Sequence, residues 1–214
     1  MSQFDRYTHY VERYSDVQDH CTIYGEHVPA MRAVMGGVLT RIETLRKEMR
    51  EKTGTDPVDH CLARIKTEES MREKLRRRGF SETTEDALFK IRDAIGVRIV
   101  CAFLNDVYMI KDYLVRFEDY EVVDEKDYIR HAKPNGYRSY HMIIRVGGTY
   151  YVELQLRTIS MDTWAALEHQ MHYKKGTLEN DALIASELKR CADELASTDV
   201  SMQIIRDMIR EEGA

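Results

Sequence analysis

Between positions 64 and 79 the chain reads RIKTEESMREKLRRRG, with seven basic side chains in sixteen positions. A charge run of this kind is usually a solvated helix face. Here, however, Ser70, Lys74 and Arg77 recur at i, i+4 and i+7, while Met71 and Leu75 fall on another face. A hydroxyl, an ammonium and a guanidinium therefore point the same way. Arg64 and Lys66 alternate around Ile65 in an extended piece just ahead of this helix. Together they form a donor set spaced to straddle several phosphates, Arg as a planar fork and Lys as a mobile point charge.

Two acids stand where metal ligands would. Asp93 closes a helix just before Gly96 and an apolar strand, and Glu153 alternates with Val152, Leu154 and Leu156, which puts Tyr151, Glu153, Gln155 and Arg157 on one sheet face. Taken singly, Asp93 is a helix-end acid and that strand face is a solvated one. Beside a phosphate-binding helix, two carboxylates on neighbouring elements suit Mg²⁺, which prefers one or two carboxylates plus phosphate oxygens. The stretch KPNGYRSYH (133–141) sets a turn in front of Tyr137, Arg138 and His141. Pro134 fixes the turn, and Asn135-Gly136 tolerate the dihedrals that follow. Tyr137 is thereby presented as a platform for a nucleobase, with Lys133 and Arg138 placed to meet that nucleotide's phosphates.

The elements that must position these groups follow from periodicity. Val28, Met31, Met35, Leu39, Ile42, Leu45 and Met49 form an amphipathic stripe that ends at Gly54. TGTDP (53–57) is a loop. A helix from about 68 to 78 has Thr67 as N-cap and Gly79 as its stop, and Thr83 with Asp86 has capping-box spacing for another. VRIVCAF (97–103) predicts a buried strand, followed by a helix over about 105–117 and a strand near 120–124. YHMIIRV and TYYVELQL predict two strands joined at Gly147-Gly148. A strict two-residue turn would send His141 to the face away from Glu153; an odd-length loop or bulge would keep the two together, and the odd register is predicted. Helices follow over about 160–174, with Trp164, Leu167 and Met171 as core positions, and over about 180–212. The pattern is α/β (α+β): a mixed, mainly antiparallel sheet of four or five strands flanked by helices.

At 214 residues the chain is long enough for one substantial domain with added helices. No apolar run approaches the roughly 20 residues of a membrane span, and the first residues lack the apolar stretch of a signal peptide, so a cytoplasmic protein is expected. Cys21, Cys61, Cys101 and Cys191 are scattered without CxxC spacing, which predicts reduced thiols rather than a zinc site or disulfides. The net charge of −5 argues against a dedicated nucleic-acid coat. That deficit lies wholly in residues 178–214, since residues 1–177 balance at 28 acids and 28 bases. In the same segment Ile184, Leu188, Cys191, Leu195, Thr198, Met202, Ile205 and Ile209 alternate at spacings of four and three, the form of a coiled-coil seam that would either dock on the chain's own domain or, the favoured reading, build an oligomer, with Ser197-Thr198-Asp199 as a possible break. Glu168, His169 and His172 lack the four-residue histidine spacing of a metal helix and are read as no site.

The runs RIKTEESMREKL, IRDAIGVRIV, KPNGYRSYH, VELQLRT and MDTWAALEH, in this order, resemble the synthetase domain of the RelA/SpoT-type alarmone synthetases. The likeness covers about residues 60–175, with 1–59 as an N-terminal helical region and 178–214 as a C-terminal helical segment. It leaves no room for the hydrolase and regulatory domains of the long members, so a small stand-alone synthetase is implied. Its fold would be a nucleotidyltransferase-like synthetase domain with N- and C-terminal helices. Its activity would be transfer of pyrophosphate from ATP to the 3′-hydroxyl of GDP or GTP with Mg²⁺, often in a homotetramer.

By motif, the resemblance implies Arg64 and Arg98 around the adenine, and Lys66, Ser70, Lys74 and Arg77 on the ATP phosphates. Asp93 and Glu153 would hold Mg²⁺, with Glu153 also taking the proton of the 3′-hydroxyl. Tyr137 would stack on guanine, Lys133 would meet the acceptor phosphates, and His141 and Gln155 would complete the acceptor pocket. Asp162 is a departure at the acceptor-base contact, because at least one group of small synthetases carries Asn there. Two rival readings are a toxic synthetase acting on the 3′ end of tRNA, against which the acidic tail speaks, and an inactive nucleotide- or RNA-binding regulator, against which the pair Asp93 and Glu153 speaks.

Overall fold

The computed structural model describes residues 23–172 and 180–212. Cys21 and the last residues of the helix expected to reach 174 lie outside them. A short 3₁₀ turn leads into α1 (Val28–Thr53), whose stripe buries Val28, Met31, Ile42 and Leu45 and which Gly54 ends at φ 69°, its N–H bonding to Arg50 O. Strand β1 (Val58–Ile65) follows; only its end, around Ile65, is legible as extended in the sequence. Next come α2 (Glu68–Arg78), a π-helical turn over Asp86–Lys90, β2 (Ile95–Cys101), α3 (Leu104–Leu114), β3 (Tyr120–Asp127), β4 (Tyr140–Val146), β5 (Tyr150–Thr158), α4 (Ile159–His172) and α5 (Asp181–Glu212).

The strands form one mixed sheet in the order β1-β2-β5-β4-β3, parallel only between β2 and β5. One face is apolar, with Ile65, Val97, Ile99, Leu154, Leu156, Met142 and Ile144 buried beneath α1 and α3. The opposite face carries the polar residues.

The β4–β5 hairpin has a three-residue loop, Gly147-Gly148-Thr149, with both glycines at positive φ and Val146 opposite Tyr150. His141 consequently pairs with Gln155, and Ile143 with Glu153. The odd register holds, and His141 shares the face of Glu153.

Two expectations about helices change. Trp164 is buried (5% exposed), but Leu167 and Met171 are 53% and 45% exposed, so only the first turns of α4 are core. The Ser197-Thr198-Asp199 stretch does not break the last helix. Thr198 and Ser201 hydroxyls bond back to the carbonyls four residues earlier, and Asp199 turns inward to Thr158. The face of α5 that docks on the sheet domain buries Ala192, Asp199 and Gln203, while Met202, Ile205 and Ile209 of the predicted seam are exposed.

Candidate active site

Each candidate residue sits on an element whose local sequence explains its direction. On the polar sheet face, one row of directly opposed residues runs Arg64, Gly96, Glu153, Ile143 and the next runs Leu62, Arg98, Gln155, His141. Gly96 has no side chain, so the row is open between Arg64 and Glu153; a Cβ there would lie 4.0 Å from Arg64 Cγ. Arg64 is close enough to Arg98 to disfavour the Arg98 charge. Burial is the first cause that lowers the Arg98 pKa, followed by Arg157, while Asp162 opposes the shift.

Helix α2 begins at Thr67, whose hydroxyl oxygen accepts from Ser70 N, and ends at Gly79 with φ 71°. Glu68 and Glu69 in the first turn and Arg76, Arg77 and Arg78 in the last complement the helix dipole. From this helix and the residue before it, Lys74 and Lys66 converge on Asp93. Both ammonium groups donate to Asp93 Oδ2, at 2.5 and 2.7 Å. Burial raises the Asp93 pKa, but hydrogen bonds and charge from the two lysines outweigh it and hold the carboxyl below its usual range. Ser70 and Arg77 are exposed on the same helix, and among the described residues Arg64 and Arg77 make no hydrogen bond or ion pair with a protein side chain.

Asp93 Oδ1 is buried and has no hydrogen-bond partner. A buried carboxylate oxygen without a partner calls for an explanation, and a bound cation is one. A carboxylate oxygen of this kind, with Glu153 near enough for Asp93 to raise its pKa through space, fits a divalent cation that also takes phosphate oxygens. Among the described residues no cluster of three or more metal-ligating side chains occurs, so two carboxylates are what the chain offers.

Glu153 faces the second half of the site. Its Oε1 lies 3.7 Å from His141 Nδ1, and its Oε2 accepts from Gln155 Nε2 at 2.9 Å. Burial raises the Glu153 pKa; His141 more than reverses this, with Asp93 opposing and Gln155 assisting, so that the carboxyl sits below its usual range. His141 Nε2 is 2.8 Å from the Tyr137 hydroxyl, and Arg157 donates to that hydroxyl at 2.6 Å.

The loop that carries Tyr137 is built by its own sequence. Gly136 N bonds to Lys133 O across Pro134-Asn135, Gly136 takes φ 91°, and Asn135 Oδ1 accepts from Tyr137 N. Lys133 Nζ lies 5.0 Å from the Tyr137 ring centroid and 4.7 Å from that of Tyr128, a ring also in edge contact with His141.

Most of the residues singled out in the sequence thus meet. Asp93, Lys66 and Lys74 form one cluster; Glu153, Gln155, His141 and Tyr137 form its neighbour; Asp162 accepts from Arg98 at 3.2 Å and from Arg157 at 3.0 Å. Arg138 leaves the group: its guanidinium turns to α5, where it bonds to Ala192 O and Asp193. Arg157, 4% exposed, is the residue the sequence reading left out of its site, although it ties Tyr137, Gln155 and Asp162 together. Its signal was available, because it continues the alternation of Tyr151, Glu153 and Gln155.

The chain is similar to known proteins over most of its length. Residues 63–178 match a family model described as a region found in RelA/SpoT proteins. The chain is 40% identical over 163 residues to GTP pyrophosphokinase YwaC of Bacillus subtilis (strain 168), covering 72% of this chain and 76% of that protein. A GTP pyrophosphokinase family protein from Streptococcus pneumoniae superposes with TM-score 0.75 at 30% identity, covering 87% of this chain and 94% of the other. Small alarmone synthetase 1 from Bacillus subtilis, bound to its product pppGpp, superposes with TM-score 0.74 at 28% identity, covering 86% and 96%.

Proposed function

Since the chain belongs to the RelA/SpoT family, we propose that its sheet face is the active site of a GTP pyrophosphokinase, which moves the β,γ-pyrophosphoryl group of ATP to the 3′-hydroxyl of GDP or GTP. The products are ppGpp or pppGpp and AMP. The observation that carries this reading is the position of Glu153 between a lysine-bound carboxylate, Asp93, and the linked pair His141 and Tyr137.

Arg64 and Arg98 take the adenine, and Lys66, Ser70, Lys74 and Arg77 take the ATP phosphates. Phosphate binding draws Lys66 and Lys74 from Asp93 and frees its Oδ2, so that Asp93 and Glu153 together would hold Mg²⁺. Bound there, the ion neutralises charge on the phosphate oxygens. Tyr137 stacks on guanine, Lys133 leaves the ring for the acceptor's phosphates, and His141, Gln155 and Asp162 line the acceptor pocket. Glu153, kept ionised by His141, accepts the proton of the 3′-hydroxyl as that oxygen bonds to the β-phosphorus. The bond from the β-phosphorus to the oxygen bridging the α- and β-phosphates breaks, and AMP leaves with the electron pair. Alignment and charge neutralisation supply most of the acceleration in such transfers.

The division of labour we propose gives residues 60–177 the chemistry, the helix α1 of the N-terminal region 1–59 the frame, and 178–214 the assembly of a homotetramer. Exposed Ile204, Ile205, Met208 and Ile209 on α5 support that last role. No helix among the described residues is long and apolar enough to cross a membrane, and the nucleotide substrates suit a cytoplasmic enzyme. The deciding experiment incubates the chain with γ-labelled ATP, Mg²⁺ and either GDP, GTP or tRNA. Label in ppGpp or pppGpp is expected; label on tRNA, or none transferred, would reject the reading.

A further inference from the structure

Arg138 lies one residue beyond Tyr137, yet its guanidinium faces away from the sheet. One terminal nitrogen donates to Gly136 O at 3.1 Å and to Ala192 O at 3.3 Å; the other donates to Asp193 Oδ1 at 2.9 Å. The fork thus joins the turn's own backbone to a carbonyl and a carboxylate on α5. The turn backbone also rests on the helix. A Cβ on Gly136 would fall 2.7 Å from Ala192 Cβ and 3.1 Å from Lys189 Cα, so a larger residue on either side would force the two apart. The neighbouring anchors follow the same stripe of α5: Trp164 Nε1 donates to Leu188 O at 2.8 Å, and Thr158 Oγ1 to Asp199 at 2.6 Å. Farther along, Asn105 N donates to Gln203 and Arg206 pairs with Asp106 at the start of α3.

We infer that α5 is a strut for the nucleoside-binding turn, and that Arg138 is a positioning residue that clamps this turn to the strut rather than a contact to the acceptor's phosphates. The inference rests on the proposed reading of the turn as the acceptor site. The physical ground is that a turn of this kind, held only by local bonds, samples other conformers, and each conformer that misplaces Tyr137 reduces acceptor affinity by the fraction of time it is occupied. Clamping acts on the acceptor side alone, because the ATP-side groups hang from β1, α2, the link between them and β2, which Arg138 does not bond.

The test uses the full chain with Asp193→Ala, Arg138→Ala and Arg138→Lys. Asp193 is at the surface and its loss leaves the core intact, so Asp193→Ala folds even if the arginine variants do not. The expected result is a rise in acceptor KM of about two- to fivefold for Asp193→Ala and about tenfold for Arg138→Ala, equal for GDP and GTP, with the ATP KM unchanged. Arg138→Lys keeps the charge but not the fork, and is expected to restore little of the loss. Hydrogen exchange of the amides of residues 133–139, measured without substrate, should quicken in Asp193→Ala while exchange in α2 stays the same. Unchanged exchange in that variant, or an Arg138→Ala effect that grows with the number of acceptor phosphates, would overturn the clamp. A wild-type chain that makes no alarmone would reject the reading of the site instead, and the exchange measurement would still decide the clamp.

Discussion

His141 Nδ1 approaches Glu153 Oε1 to 3.7 Å, and this contact is what holds the Glu153 carboxyl ionised despite its burial. A base must be in its charged form to accept a proton, so a pKa below the usual carboxylate range keeps the wild type active well into acid. In His141→Ala the burial and the nearby Asp93 charge remain, and both raise the pKa. The acid limb of the kcat profile should therefore move to higher pH. Glu153→Gln should lower kcat by about 10²–10⁴-fold while leaving ATP binding close to wild type. A pH–rate profile and equilibrium ATP titration check both.

Asp93 Oδ2 accepts from two ammonium groups while Oδ1 has no partner. Asp93→Asn keeps the shape but removes the charge, so it should raise the Mg²⁺ concentration needed for half-maximal turnover and lower kcat by about 10²–10³-fold. Chelation of divalent ions should abolish wild-type turnover, and Mg²⁺ should restore it. Turnover measured against Mg²⁺ concentration tests this, and a variant with an unaltered Mg²⁺ curve would remove Asp93 from the metal site.

Asp199 presents the opposite electrostatic case. Burial raises its pKa above the ordinary 3.8, with hydrogen bonds from Thr158 and Ser160 opposing. The folded chain therefore binds this proton more tightly than the unfolded one, and stability falls as pH rises from about 3.8 to the raised value, then levels off. Asp199→Asn retains an acceptor for Thr158 without the charge. It should raise Tm at neutral pH on the order of a few °C, and the gain should vanish as the pH falls towards 3.8. Thermal melts of both forms at several pH values measure it.

Much of this was legible because periodicity and turn chemistry act locally. Thr67 and Gly79 bound α2, and the glycines of the β4–β5 loop admit the register that keeps His141 with Glu153. What sequence alone could not supply depended on contacts across the chain. Strand β1 becomes visible only when paired with β2, since His60 and Cys61 carry little strand signal. Leu167 and Met171 have helical spacing for a core, but no element covers them among the described residues. Arg138 reads as a phosphate ligand from its neighbours in sequence, and only the fold brings Asp193 to its other side. Arg157 was legible as a member of the polar sheet face, but its bonds to Asp162, Tyr137 and Gln155 appear only once the strands, the turn and α4 are assembled.

The bond from Arg138 to Ala192 joins positions 54 apart in the chain. At roughly 5–20 residues per second, a ribosome needs about three to ten seconds to cover that interval. During biosynthesis the nucleoside turn is therefore made seconds before the helix residues that hold it.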